Sequence, residues 1–172
     1  MNLKAASGVD RTTAREYGKN LRDNIKDLVK RLKEKRYRTK LVRRVCIPKS
    51  GGKHRPLGIP ATEEKLLQLV VVRILNAIYE QDFLPNSFGY RPKVGAKEAV
   101  QDITSALYWE KYGYIVDADI KGFFDSIDHD WMIKMLEQRI DDRAFIRLIR
   151  KWLKAGVLTP EEGVEYPAKG TP

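Results

Sequence analysis

Tyr114-Ile115-Val116-Asp117-Ala118-Asp119-Ile120-Lys121-Gly122-Phe123-Phe124-Asp125 reads as a β-strand that ends in acid and breaks at glycine. Alternation assigns Tyr114, Val116, Ala118 and Ile120 to one face and Asp117 and Asp119 to the other. A strand spares one face for carboxylates only where that face looks onto water, a cation or a ligand, because uncompensated burial of charge is costly. Phe123 and Phe124 then raise a rigid apolar wall beside the acids. Carboxylates at a strand end next to such a wall suit a divalent metal holding a phosphorylated substrate. Either acid also suits a plainer role, capping the turn that follows.

The chain has 172 residues, enough for one or two small domains with their own cores. It is 42% hydrophobic, sufficient to fold, although 33% of its residues are charged. No apolar run approaches the roughly 18 residues of a membrane span. The best candidate, Leu66 to Leu75, is interrupted by Gln68 and Arg73 and reads as a buried helix. The first residues lack the apolar core of a signal peptide. Cys46 stands alone, so no internal disulfide forms and a reducing, cytoplasmic setting is expected. Its place in an apolar strand predicts a packed thiol.

The net charge of +10 is unevenly spread. Between Lys19 and Arg55, fifteen Lys/Arg stand against Asp23, Asp27 and Glu34, a balance of +12, and the remainder of the chain carries −2. A block of one sign repels itself unless a polyanion is near, so nucleic acid is the expected partner. Tyr37, amid these cations, is placed either to stack on a base or to anchor a core.

A helical pattern begins at Thr12 or Thr13, with Gly18 expected to break it in two. The second piece sets Leu21, Ile25, Leu28, Val29 and Leu32 on one stripe with cations opposite. Lys40 to Ile47 and Arg55 to Ile59 read as two strands joined by a Ser50-Gly51-Gly52 turn, a β-hairpin ended by Pro60. Thr62, Glu63 and Glu64 start a helix to about Glu80, apolar nearly all round and therefore expected to be central. Further helices are predicted over 96–109, over 129–139 with Asp128 as N-cap, and over 143–154, with a short strand near Val164. Residues 1–10 are expected to be only partly ordered. The order of elements is α+β, not an alternating βαβ series.

Three other features carry chemistry. In Ile47-Pro48-Lys49-Ser50-Gly51-Gly52-Lys53-His54-Arg55-Pro56-Leu57-Gly58-Ile59-Pro60, Lys49 and Arg55 flank a glycine turn from opposite strands. A cationic point charge and a bidentate fork at the two feet of a hairpin tip form a natural clamp for a triphosphate. The plainer reading is a simple basic turn. In Ser87-Phe88-Gly89-Tyr90-Arg91-Pro92, Arg91 either grips a backbone phosphate or pairs with an acid to fix its loop. His54 and His129 lie far apart and are expected to make local hydrogen bonds, with no Cys/His zinc pattern present.

In order, these segments resemble the fingers and upper palm of reverse transcriptases, most closely the group II intron-encoded (maturase) branch. The matching pieces are Tyr37 to Pro60, Ser87 to Pro92 and Asp117 to His129, while Gly170-Thr171-Pro172 looks like the start of the next family block. The resemblance implies a mainly helical fold with a β-hairpin and a short, incomplete palm sheet. It divides the chain into a basic helical extension (1–38), fingers (39–112) and a partial palm (113–172).

By the same resemblance, Asp119 matches the first catalytic aspartate and a metal ligand, and Ile120 would lend its backbone carbonyl to a metal. Phe124 matches the aromatic that screens the sugar 2′ position, and Lys49 and Arg55 match the pair that holds the incoming dNTP. Asp117 is not a motif position. The grip on RNA would fall on Lys26, Lys30, Arg31, Lys33, Lys35, Arg36, Arg38, Arg43 and Arg44, together with Arg91. Mg²⁺ is the implied cofactor of the complete enzyme, and its implied partners are template or structured intron RNA, an RNA/DNA primer-template and dNTPs. No membrane partner is expected.

One departure matters. The family's Tyr-x-Asp-Asp turn does not occur here, so the chain is expected to be cut short and, alone, to be inactive in synthesis and not to hold Mg²⁺ stably. Two alternatives stand beside the polymerase reading. One is a non-catalytic RNA-binding module that assists splicing; the other is a self-associating scaffold, with a homodimer as its partner.

Overall fold

The computed structural model describes residues 2–49, 51–52, 54–109, 112–160 and 163–172. Ser50 of the expected turn, and Lys53 of the same motif, lie outside the described residues. The chain forms two compact units, one of residues 1–68 with 122–172 and one of residues 69–121.

The first unit opens with α1 (Ala14–Lys19), started by a reciprocal capping box between Thr13 and Glu16. The Thr13 backbone N–H first, and then the Thr13 hydroxyl, donate to the Glu16 carboxyl and hold it below its usual range. The break before α2 (Leu21–Lys33) falls at Asn20, which leaves the helical region at φ −119°, and not at Gly18. Glycine inside a helix costs only about 1 kcal/mol and does not by itself end one. Of the expected apolar stripe, Leu28 is buried, but Leu21, Ile25 and Val29 are exposed. α2 closes with Arg36 N–H on the Arg31 carbonyl and Lys35 N–H on that of Leu32, a Schellman motif. Lys35 holds the left-handed position of that motif at φ 59°. Glycine usually sits there, because a side chain costs about 1–2 kcal/mol.

The residues before α1, expected to be partly ordered, are tied to the start of α3 (Thr62–Tyr79). The Thr62 hydroxyl donates to the Thr12 carbonyl at 2.6 Å, and Arg43 donates to the Ser7 carbonyl at 2.7 Å. The centre of the unit is Glu64, only 2% exposed. Its carboxylate accepts from the Tyr37 hydroxyl, from the Trp152 indole at 2.9 Å and from the Lys40 backbone N–H at 3.2 Å. Around it pack Leu28, Tyr37 and Leu67, with Leu32, Leu148 and Trp152. Burial, then the Glu64 hydrogen bond, raises the Tyr37 phenol well above its ordinary value. Tyr37 is therefore a core anchor and not a base-stacking surface.

The hairpin forms as read, β1 (Val42–Pro48) antiparallel to β2 (His54–Ile59), with Ile47 opposite Arg55. A second pair, β3 (Val157–Thr159) and β4 (Gly163–Glu165), extends it to a four-stranded mixed sheet of order β2-β1-β3-β4. β3 runs parallel to β1 but meets it only at Val42 and Arg43. Beyond Arg43 the hairpin is a two-stranded ribbon, so Cys46 is exposed and not packed as expected. Pro56 sits in β2, an edge strand, where its missing N–H costs no ladder bond.

After Gly122 a short turn, Phe124–Ser126, leads to α4 (His129–Glu137), which Asp128 caps by accepting from the N–H groups of Asp130 and Trp131. Asp142 caps α5 (Arg143–Leu153) in the same way. The last residues close over the turn. Gly170 N–H donates to the Ile127 carbonyl at 2.7 Å, Thr171 N–H to that of Phe124 at 3.1 Å, and buried His129 bonds the Gly170 carbonyl at 2.7 Å. The His129 partner is thus distant in sequence, not local.

The second unit holds the rest of α3, a further helix over Ala96–Trp109 and an extended segment from Tyr112 to Ile120. α3 is not enclosed all round as expected, since Leu69, Val70, Val72 and Ile74 are exposed while Val71 is buried. The strand expected over 114–120 does not form either, and Tyr114 and Val116 are 93% and 90% exposed. Alternation fixes which way side chains face, but a strand exists only with a hydrogen-bonded neighbour. None of the four strands pairs with this segment. Among the described residues, no helix is long and apolar enough to cross a membrane.

Two outcomes test the packing. Tyr37→Phe removes one of three donors to a buried carboxylate and should lower stability by about 1–3 kcal/mol, read from the urea unfolding midpoint. Gly170→Ala should lower it by more than about 1 kcal/mol, because φ is +79° and a Cβ would lie 2.8 Å from the Asp125 carbonyl oxygen. Parental unfolding midpoints would show that neither residue is held as described.

Candidate functional site

In the first unit, Lys49 follows the end of β1 and Arg55 lies in β2, both exposed. Arg55 is directly across from Ile47, and alternation carried two residues on from Ile47 puts Lys49 on the face of Arg55. Neither has a carboxylate partner among the described residues, so both charges are free for an anion.

Phe124 is half exposed and meets Phe123 edge to face, ring centres 5.3 Å apart at 78°. Its backbone is pinned by Thr171, and the Gly170 approach to Asp125 leaves no room for a side chain. The same terminal run reaches the hairpin: a Cβ on Gly58 would lie 2.8 Å from the Pro172 carbonyl oxygen. Residues 170–172 therefore bridge the Phe124 turn and the foot of β2. In the sequence Gly170-Thr171-Pro172 stands only as the start of a block, and the glycine itself is the one cue to a close approach there. Asp128, beside this clasp, has its carboxyl held below the usual range by the Trp131 N–H and then the Asp130 N–H.

Asp119 and Ile120 belong to the second unit, where both are exposed on the extended segment with Asp117. A carboxylate and a backbone carbonyl are hard oxygen donors of the kind Mg²⁺ takes, but they fill only part of an octahedral shell. No group of three or more His, Cys, Asp or Glu able to hold a metal occurs among the described residues.

The cations of the N-terminal segment divide into two sets. Arg31 pairs with Asp27 at 2.6 Å and Glu63 at 2.7 Å, Arg36 pairs with Glu34, and Arg44 lies 3.6 Å from Glu165. Arg43 is spent on the Ser7 carbonyl. Lys26, Lys30, Lys33, Lys35 and Arg38 are exposed, with no ion-pair partner among the described residues. Arg91, in the second unit, forks onto Glu80 at 2.7 and 3.0 Å and donates to the carbonyls of Leu84 and Ser87. It fixes its loop, and the structure commits its donors there.

Residues 47–172 match the family described as reverse transcriptase (RNA-dependent DNA polymerase). Among curated relatives, the chain is 38% identical over 154 residues to an uncharacterized 91 kDa protein in the cob intron of Schizosaccharomyces pombe, covering 87% of this chain and 18% of that protein. It is 37% identical over 157 residues to the group II intron-encoded protein LtrA of Lactococcus lactis, covering 84% and 26%. Protein YkfC of Escherichia coli is 37% identical over 117 residues, covering 66% and 31%. The chain thus spans less than a third of the length of each of these relatives. With the family pattern running from Ile47 to Pro172, across the hairpin, the Phe124 turn and the clasp that joins them, the chain belongs to the reverse transcriptase family.

Proposed function

We propose that this chain is the fingers and partial palm of an RNA-directed DNA polymerase of the group II intron-encoded kind. The observation that carries the reading is the clasp: residues 170–172 tie the Phe124 turn to the strand bearing Arg55. A nucleotide held at its triphosphate by Lys49 and Arg55 needs its sugar checked at a fixed distance from that grip, and the clasp supplies the fixed distance. Lys49 contributes point charge and Arg55 a fork, while the Phe124 ring excludes a 2′-hydroxyl.

In the complete enzyme the primer 3′-hydroxyl attacks the dNTP α-phosphate, and Asp119 with the Ile120 carbonyl would hold Mg²⁺. That ion, when bound, neutralises the charge developing on the phosphate oxygens. Asp119 alone does not supply the carboxylates that bridge two ions, so the chain by itself is inactive in synthesis. Lys26, Lys30, Lys33, Lys35 and Arg38, without ion-pair partners among the described residues, favour a second activity, binding of template or intron RNA. A role for this grip in splicing is part of the same reading.

In a full-length protein carrying this chain, Asp119→Ala should abolish primer extension and leave RNA affinity within about twofold; surviving synthesis would remove Asp119 from the metal site. Association of the chain with RNA, followed by fluorescence anisotropy, should weaken steeply as salt rises, with log K falling linearly in log salt at about 0.7–0.9 per phosphate contact. Salt-insensitive binding would exclude the backbone grip.

A further inference from the structure

We propose that the groove between the end of α2 and helix α5 is a binding site for the phosphodiester backbone of RNA. It has a volume of about 450 Å³, and Lys35, Arg143, Arg147 and Lys151 supply its cations. The proposal rests on the reading that the chain binds RNA, and joins Lys35 of the basic N-terminal segment to a cationic stripe on α5 that lies outside it.

The sequence of α5 creates the cationic stripe. Ile146, Ile149 and Leu153 are buried, which turns Arg143, Arg147 and Lys151 away from the core at four-residue intervals. Each interval advances about 6 Å along the helix axis, comparable to the step between successive phosphates of a nucleic-acid strand. Arg143, Arg147 and Lys35 have no carboxylate partner among the described residues. Lys151 is oriented rather than neutralised: it donates to the Tyr37 carbonyl at 2.7 Å and lies over the Tyr37 ring. Two acids, Asp141 and Asp142, also line the groove, leaving a balance of +2. Asp142 is already spent on the N–H groups of Ala144 and Phe145.

Lys35 adds a separate argument. It occupies the left-handed position of the α2 Schellman motif, where glycine would be less strained, and it lines the groove from the side opposite α5. Backbone energy is given up there to keep a charge. The groove floor, Leu32 and Leu148, is apolar and can support a ribose. A stripe two helical turns long exceeds what a single phosphate or a mononucleotide needs, which favours a strand.

The test uses this chain and a fluorescein-labelled RNA hairpin with a single-stranded 3′ tail. Arg143→Ala/Arg147→Ala should weaken binding about tenfold near physiological salt and make the log K against log salt slope shallower by about 1.5. Lys35→Gly should move two readouts in opposite directions, raising the melting temperature while weakening RNA binding. Unchanged affinity and slope in both variants, with Lys26→Ala/Lys30→Ala/Lys33→Ala weakened, would overturn the groove and leave RNA binding standing. Parental binding by all three would overturn both. Equal displacement of the RNA by polyglutamate at matched charge would assign the groove to acidic peptides and overturn the proposal.

Discussion

A single buried carboxylate, Glu64, constrains most of the first unit. An unpaired charge in that position would cost several kcal/mol, so its three donors are required and not incidental. They come from the loop after α2 (Tyr37 and Lys40) and from α5 (Trp152), while Glu64 itself stands in the first turn of α3. Three segments far apart in sequence are thereby held to one point. β1 begins two residues after Lys40, so the same network sets where the hairpin leaves the core. It also sets the distance between Lys35 and the stripe on α5, because Tyr37 and Lys151 are bonded to each other beside it.

Features legible in the sequence were those decided locally. A glycine turn between apolar runs announced the hairpin, Asp128 announced the start of α4, and the acid-rich start of α3 fell where its composition placed it. What was not legible depended on distant partners. β3 is three residues long, too short for alternation to register, and its only cue was the β-branched Val157 after Gly156. Residues 114–120 have strand composition without a pairing neighbour among the described residues. Cys46 lies in an apolar strand, yet β3 covers only the first two residues of β1.

The site shows the same division. Lys49, Arg55, Asp119 and Phe124 were nameable because motif spacing survives in one dimension. The clasp was not, since it needs residue 170 against residue 125. Charge arithmetic misled in one respect. It assigned the whole positive excess to residues 19–55, because Arg143, Arg147 and Lys151 are offset in sum by acids elsewhere. Electrostatic fields follow spatial arrangement, and a neutral sum over a segment says nothing about one helix face.

The clasp has a consequence for the order in which the chain is made. The hairpin is complete once Ile59 has been synthesised, but the residue that packs on Gly58 is Pro172. At about 5–20 residues per second, that ribbon exists for roughly 6–23 seconds before this contact can form. β2 is an edge strand during that interval and in the finished sheet alike, the kind of surface on which chains pair wrongly. Pro56, with no N–H to offer a stray strand, sits within that edge and blunts it.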